Sequence, residues 1–588
     1  MNKGGSPVAD SLLVYQHYLN NRQCLNPHEK KTLRQLAKFS LLPLKYIFQE
    51  YGGYIVSNRK KIVFIRPKGH ETFWDMSDIS VITGKKAIYP PLGLATVAAI
   101  TPDNYDLSIV DEYVEPINFD IKCDMVAITG YTMHAQRIAQ VVKEFKKRGI
   151  LTVGGGPYCS SHPVESQEIF DVVVSGEAEV IWPEFLKDWE TGKFKKFYVA
   201  PGLPDLSLTP IPRWDLVRIR EYSASLVQTS RGCPYPCEFC DVITLFGQRS
   251  RLKPIEQVRA ELIVLAKLGV PEVFLSDDNF IGNRRFAKDV LRTLAEVNKT
   301  QKKPTRYMTQ MTINVAKDQE LMDLMVEANF WMIFIGMETP SVESLKETGK
   351  AQNLNIDLAE AVRAIQSRGI IMTVGMIVGF DADDVSIFKR QFDFLTQNSI
   401  TIALINMLSA FKGTALWTRL ERENRLLPEL ESGDTCLETN FLPKQMSRET
   451  LQAEFANLFK TLYTPENFYL RLAGFIDQLD ISRIKKISAI KNAGKISNFR
   501  FYYLKSAIRI VLYYVFHKDR AMRELFWKSA RKSFQKHSMT YTVFLELMVY
   551  FKAQNNFVEK HFSHQLEETT RAAQQVTIKQ HVAEKVLH

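Results

Sequence analysis

Cysteine is scarce: seven among 588 residues, three of them crowded into one short stretch. That count excludes the disulfide framework of a small secreted protein and favours a reduced cytoplasmic setting. Long apolar runs are missing too. No stretch of about 18 uninterrupted apolar residues occurs, so no membrane span is expected. The start, Met1-Asn2-Lys3-Gly4-Gly5, leads into polar sequence without the apolar centre of a secretory leader. Internal repeats, long low-complexity segments and RNA-binding signatures are also absent. The net charge of +11 is therefore too diffuse to indicate nucleic acid, although it suits phosphates or anionic lipid. What is present is ordinary for globular chains: 45% hydrophobic residues and, at about 150 residues per domain, length for about three or four domains.

The three crowded cysteines are the informative feature. They lie in Arg231-Gly232-Cys233-Pro234-Tyr235-Pro236-Cys237-Glu238-Phe239-Cys240. Thiolates favour iron–sulfur clusters or zinc. A closed zinc site normally takes four ligands, commonly as two separated pairs. Here no second pair follows, and Cys24, Cys123, Cys159 and Cys436 are scattered singly. Three thiolates on a four-iron cube leave one iron open to a small molecule, which is an arrangement for redox chemistry. With the aromatic Phe239 directly before the third cysteine, the stretch resembles the radical S-adenosylmethionine (SAM) signature.

The rest of the chain is organised around that loop. Residues 1–58 read as a helical, basic N-terminal extension. From 59 to 195, apolar runs at 62–65, 107–110, 125–129, 151–153 and 172–174 alternate with helical segments such as 136–147. Five short strands with crossovers imply a doubly wound parallel α/β sheet, which binds ligands beyond the carboxyl ends of its strands. The loops expected there include Thr129-Gly130-Tyr131-Thr132, Gly154-Gly155-Gly156-Pro157 and Ser175-Gly176-Glu177-Ala178-Glu179. Residues 196–221 are proline-spaced and read as a linker. From 222 to 425, strands at 225–229, 272–276, 306–311, 331–337, 371–378 and 402–408 alternate with helices. They imply a partial (β/α)6 barrel with its chemistry at the strands' carboxyl ends, and the cysteine loop directly follows the first strand. Residues 426–588 read as a helical C-terminal domain that shapes the substrate pocket. One helix candidate there, 498–516, carries Arg500, Lys505 and Arg509 downstream of Arg483, Lys485, Lys486, Lys491 and Lys495. Such a basic amphipathic segment can lie on an anionic membrane, though packing against the barrel is the first expectation.

Further motifs sharpen the resemblance. They are Thr72-Phe73-Trp74, Pro90-Pro91-Leu92-Gly93-Leu94, Val110-Asp111-Glu112, the glycines 154–156 and Gly176-Glu177-Ala178-Glu179. Pro212-Arg213-Trp214-Asp215 and the run from Asp277-Asp278-Asn279 to Asn283 follow. Phe334-Ile335-Gly336-Met337-Glu338-Thr339 and Ile377-Val378-Gly379-Phe380-Asp381 complete the set. Over roughly residues 60–560 the chain is similar to cobalamin-binding radical SAM enzymes, within the subgroup that contains the hopanoid C-2 methylase.

The resemblance implies three cofactors: a 4Fe–4S cluster, SAM and cobalamin. It implies that Cys233, Cys237 and Cys240 ligate the cluster and that Phe239, Gln310 and Glu338 contact SAM. Asp277 is expected to position SAM or substrate. Thr129, Tyr131, Thr132, Gly154, Gly155, Gly156, Gly176 and Glu177 are expected around cobalamin. No Asp-x-His-x-x-Gly motif supplies a histidine to cobalt. His70 and His134 read as exposed loop residues, with residues 131–136 covering the lower cobalt face. The activity implied is methylation of an unactivated carbon of a lipid or natural product through a 5′-deoxyadenosyl radical and methylcobalamin. A radical cyclisation, ring contraction or oxidation without methyl transfer is the alternative, and a non-catalytic cobalamin or SAM sensor has no need of an open iron. An electron donor such as flavodoxin or ferredoxin, and peripheral contact with the inner membrane face, are the expected partners.

Overall fold

The apolar runs of the first half become buried strands because their β-branched side chains pack on both faces of one sheet. The computed structural model describes residues 59–70, 77–427, 438–484, 501–537 and 540–562. All of the architecture below belongs to one compact unit, Lys60–His588. The expected helices of residues 1–58, the Thr72-Phe73-Trp74 motif, Lys485, Lys486, Lys491, Lys495, Arg500 and the tail from 563 lie outside the described residues.

The first sheet contains β1 (Lys61–Arg66), β2 (Asp106–Asp111), β3 (Met125–Thr129), β4 (Leu151–Gly155), β5 (Val172–Ser175) and β6 (Phe197–Val199). All are parallel, in the order β2-β1-β3-β4-β5-β6. Helices Leu92–Ile100 and Ala178–Glu190 cover one face through Leu94, Ala98, Ile181, Trp182 and Phe185. Helix Ala135–Lys146 covers the other through Ile138, Val141, Val142 and Phe145. The sheet is thus doubly wound. The sixth strand falls in the stretch read as linker. It has only three residues, and its single buried side chain, Tyr198, packs on Phe185, so it leaves no run to read.

The second sheet contains β7 (Ser225–Val227), β10 (Glu272–Leu275), β11 (Arg306–Met311), β12 (Phe330–Glu338), β13 (Ile371–Val378) and β14 (Ile402–Met407). They pair in parallel and in sequence order, an open six-stranded barrel. Between β7 and β10 lies a small antiparallel pair that the sequence reading lacks, β8 (Ser230–Arg231) with β9 (Arg251–Leu252). It brackets the cysteine loop. The barrel helices are amphipathic and capped: Asn283 accepts from Phe286 N at the start of Arg284–Thr300, and Asp318 from Leu321 N at the start of Gln319–Glu327.

The C-terminal helices share the barrel's core. One of them lies away from the cysteine loop. Arg306, at the amino end of β11, pairs with Glu546 of the helix over 540–562 and stacks its guanidinium 4.0 Å over Trp331. Tyr550 of that helix meets the same tryptophan, with ring centroids 6.4 Å apart. This helix therefore closes the amino end of the barrel, opposite the cysteine loop. Among the described residues, no helix is long and apolar enough to cross a membrane.

Candidate active site

Parallel strands place all their carboxyl ends on one edge, so each sheet gathers its loops on one side. The two gathered edges meet. Arg231, the last residue of β8, reaches Glu177 at 2.5 Å and Glu179 at 2.6 Å in the loop and helix after β5. Arg251 of β9 also pairs with Glu177. Lys412, beyond β14, pairs with Glu165 after β4, and helix Val242–Phe246 packs on helix Pro157–Ser161. The mouth of the barrel thus faces the ligand edge of the first sheet. Glu177, expected beside cobalamin, is buried in this joint, and both its oxygens are engaged by arginines of the cysteine hairpin.

The cysteine loop is anchored by the barrel strands around it. Asp277, at the end of β10, accepts from Thr229 N at 2.6 Å, from Ser230 N at 3.1 Å, from Ser230 Oγ at 3.0 Å and from Thr229 Oγ1. Its carboxyl is fully buried and used within the protein, where it holds the loop's entry. Burial raises its pKa against those hydrogen bonds. Asp278 accepts from Gly232 N at 2.6 Å, and burial pushes its pKa up to about 6. Gly232 has φ +90°, and a Cβ there would strike the carbonyl oxygens of Gly247 at 2.8 Å and Phe246 at 2.9 Å. Asn314, beyond β11, donates to the Tyr235 hydroxyl at 2.9 Å. Thr348, beyond β12, accepts from Glu238 N at 3.2 Å, and Arg419, beyond β14, holds the Glu238 carboxylate at 2.8 Å.

Inside this frame Cys237 is buried, while Cys233 and Cys240 are half-buried at the surface of the loop. Burial raises the Cys233 thiol and pushes the Cys240 thiol up to about 12. Two amides approach sulfur: Asn279 Nδ2 lies 3.9 Å from Cys233 Sγ and Gln352 Nε2 lies 3.7 Å from Cys237 Sγ. The buried oxygens of the same amides, Asn279 Oδ1 and Gln352 Oε1, have no partner in the protein. Among the described residues, no three His, Cys, Asp or Glu side chains converge on a single-ion site. A loop of three thiols with buried amides on the sulfurs is instead the donor set of a polynuclear iron–sulfur group.

Glu338 ends β12 in a left-handed conformation, φ +64°, where the register against β13 skips a residue. The irregularity turns its carboxylate toward Lys350, 2.5 Å away. Gly336 makes the room, because a Cβ there would sit 2.5 Å from Glu338 Oε1 and 3.0 Å from Lys350 Nζ. Burial alone would depress the Lys350 ammonium. Glu338 outweighs it and holds the group above its ordinary value. Lys350 also lies 6.0 Å from the centroid of Phe239, whose ring packs on Phe380. Gln310 is partly exposed at the end of β11 and donates to the Asp277 carbonyl at 2.9 Å.

On the facing edge, Thr129, Tyr131, Thr132, Gly155, Gly156 and Gly176 lie together on the loops of β3, β4 and β5. Tyr131 is exposed. Gly156 has φ +86°, and a Cβ there would overlap the Thr129 hydroxyl. Gly154 serves packing instead, since its Cβ would enter the ring of Phe170. His70 is exposed as expected, but His134 is not. His134 is buried, accepts from Tyr131 N at 3.1 Å through Nδ1 and lies 3.3 Å from the Tyr113 hydroxyl through Nε2. Burial, with the nearby Arg66, drives its pKa down to about 4. Both ring nitrogens are therefore used within the protein.

Sequence reasoning did not single out Lys350, Gln352 and Arg251, and quoted Arg231 and Asn279 only as parts of motifs. Arg231, beside Gly232-Cys233, carried the one available signal: a cation adjacent to the motif with no acidic neighbour in sequence.

Known proteins match this architecture. A model of the radical SAM superfamily matches residues 227–390, and one described as a domain of unknown function (DUF4070) matches residues 414–571. An uncharacterized methyltransferase of Synechocystis sp. is 38% identical over 415 residues, 69% of this chain and 77% of that protein. The hopanoid C-2 methylase of Rhodopseudomonas palustris is 34% identical over 348 residues, 58% of this chain and 66% of that one. The fold is similar to the cobalamin-dependent S-adenosylmethionine radical enzyme OxsB with aqua-cobalamin and SAM bound. The TM-score is 0.54 and the identity 15%, over 88% of this chain and 82% of that one. It is also similar to the methyltransferase TsrM of Kitasatospora setae with cobalamin and an iron–sulfur cluster bound. There the TM-score is 0.52 and the identity 14%, over 81% of this chain and 99% of that one. The chain belongs to the cobalamin-dependent radical SAM methyltransferases.

Proposed function

We propose that this enzyme methylates an unactivated carbon of a lipid or natural-product substrate, with residues 222–425 holding the cluster and SAM and residues 59–195 holding cobalamin. The observation that carries the reading is the meeting of the two strand-end edges, joined by Arg231 and Arg251 to Glu177 and Glu179. When bound, the cluster and SAM supply a carbon-centred oxidant and cobalamin a transferable methyl group.

The protein's own task is to bind, orient and exclude water. Cys233, Cys237 and Cys240 hold the cluster, and the amides of Asn279 and Gln352 lie against two of these sulfurs. The Glu338–Lys350 pair is complementary to the amino-acid end of SAM: its carboxylate suits the ammonium and its ammonium suits the carboxylate. Phe239 lines this space, and Gln310 borders it from β11. Thr129, Tyr131, Thr132, Gly155, Gly156 and Gly176 line the cobalamin edge. Asp277 and Glu177 act as positioning residues beneath the cysteine loop. An electron donor of the flavodoxin or ferredoxin type, and a peripheral contact with the inner membrane face, complete the reading.

The test uses anaerobically reconstituted enzyme with cobalamin, reductant and SAM carrying a deuterated methyl group, added to a cell extract. Label found by mass spectrometry in a new molecule supports methyl transfer and identifies the acceptor. Deoxyadenosine formed while a labelled acceptor never appears would move the reading to rearrangement.

A further inference from the structure

The positive charge of this chain is concentrated in one stretch of its sequence. Residues 481–540 contain fifteen lysines and arginines against two acidic residues, Asp519 and Glu524. That surplus of thirteen exceeds the +11 of the whole chain, so the other residues together are slightly acidic. The stretch includes two helices, Phe501–Val515 and Arg520–Lys536, whose inner faces are fixed by Ile510, Tyr514, Met522, Leu525 and Phe526, with Tyr514 stacked on Phe526 at 5.7 Å.

Their outer faces combine charge with large apolar side chains. Ile508, Leu512 and Phe516 follow at intervals of four and are 50%, 50% and 77% exposed. Trp527 and Phe534, one heptad apart, are 57% and 63% exposed. Tyr469, Arg520, Arg523, Trp527, Lys528 and Arg531 line a shallow depression of about 570 Å³. Its one carboxylate, Glu524, lies 2.7 Å from Arg520 and 3.4 Å from Lys528.

We propose that helices Phe501–Val515 and Arg520–Lys536 form a surface that docks on an anionic lipid bilayer. A nucleic acid would use the cations and leave five large apolar side chains in water. A protein partner would favour fewer cations at the centre of its contact. A bilayer interface takes both classes at once, because aromatic and aliphatic groups enter the acyl boundary while lysine and arginine remain among the headgroups. Cations near an anionic membrane surface each add to the attraction, which salt screens. The inference locates the peripheral contact included in the proposed function. Its test needs neither cofactors nor turnover, so failure here leaves the methyl-transfer reading standing.

The experiment is co-sedimentation of the full-length protein with phosphatidylcholine vesicles, with and without phosphatidylglycerol, at low and high salt. Binding is expected to the anionic vesicles only and to weaken at least tenfold at high salt. Phe516→Ser/Trp527→Ser/Phe534→Ser and, separately, Lys528→Glu/Arg531→Glu should each weaken it at least tenfold, with an unchanged thermal transition because all five side chains lie on outer faces. If the apolar variant misfolds, the charge variant decides. Vesicle binding should also blue-shift tryptophan emission in the wild type more than in Trp527→Phe. Equal binding to neutral vesicles overturns the proposal. So does an apolar variant that binds like wild type, or a preference for double-stranded nucleic acid over anionic vesicles in competition.

Discussion

Replacing Arg231 with methionine should loosen the joint between the two sheets by about 3 kcal/mol. Its side chain is 10% exposed and bridges Glu177 and Glu179, which are 5% and 3% exposed. Removing one partner of a buried ion pair costs about 3–5 kcal/mol, because the remaining charge keeps its desolvation penalty. The low end applies here. Glu177 keeps Arg251, and Glu179 keeps the Thr209 hydroxyl at 3.0 Å. Burial would raise Glu179 toward protonation; Arg231 now outweighs burial and holds it low, so the variant should take up a proton at this site. Urea unfolding followed by fluorescence should show a lower midpoint at an unchanged slope for the transition that separates the sheets. A double-mutant cycle with Glu179→Gln should give a coupling of at least about 1 kcal/mol. Methyl transfer per deoxyadenosine formed should fall as well, because the joint sets how the two edges face each other. If the single effects add to within about 0.5 kcal/mol, the bridge is not a shared interaction and the reasoning fails.

Other outcomes follow from the same geometry. His134 is held neutral with a pKa of about 4, while an unfolded histidine titrates near 6.5. The unfolded chain therefore binds a proton that the native state refuses, and stability is lost as pH falls from about 6.5 to about 4, by about 3 kcal/mol in all. His134→Gln should flatten that part of a stability–pH curve, and an unchanged slope would count against a buried neutral imidazole. Gly336→Ala places a methyl 2.5 Å from Glu338 Oε1 and should weaken equilibrium SAM binding at least tenfold while iron content holds. Cys237→Ala should lower bound iron and abolish deoxyadenosine formation, and full iron retention would remove it from the cluster. 

Much of this protein is legible in its sequence because the relevant patterns are local. The runs at 62–65, 125–128 and 172–174 are continuous apolar stretches, and a parallel strand buried on both faces reads that way. Cys233, Cys237 and Cys240 announce their chemistry through spacing within eight residues. Phe197–Val199 escaped because three residues with one buried side chain make no pattern. The site's electrostatics escaped for a different reason. Asp277 reads as a ligand at a strand end, yet its partners are Thr229 and Ser230, 48 and 47 residues away. Glu177 sits in a glycine-bearing loop, yet its partner Arg231 lies 54 residues on. The helix over 540–562 shows a helical pattern but not that Glu546 would reach Arg306, 240 residues earlier, and close the barrel's amino end. By itself the sequence determined the two α/β layers and the thiol loop, since periodicity and spacing act between neighbours in the chain. Only the tertiary structure decided which charges meet, because an ion pair depends on distance through space and on the water excluded around it.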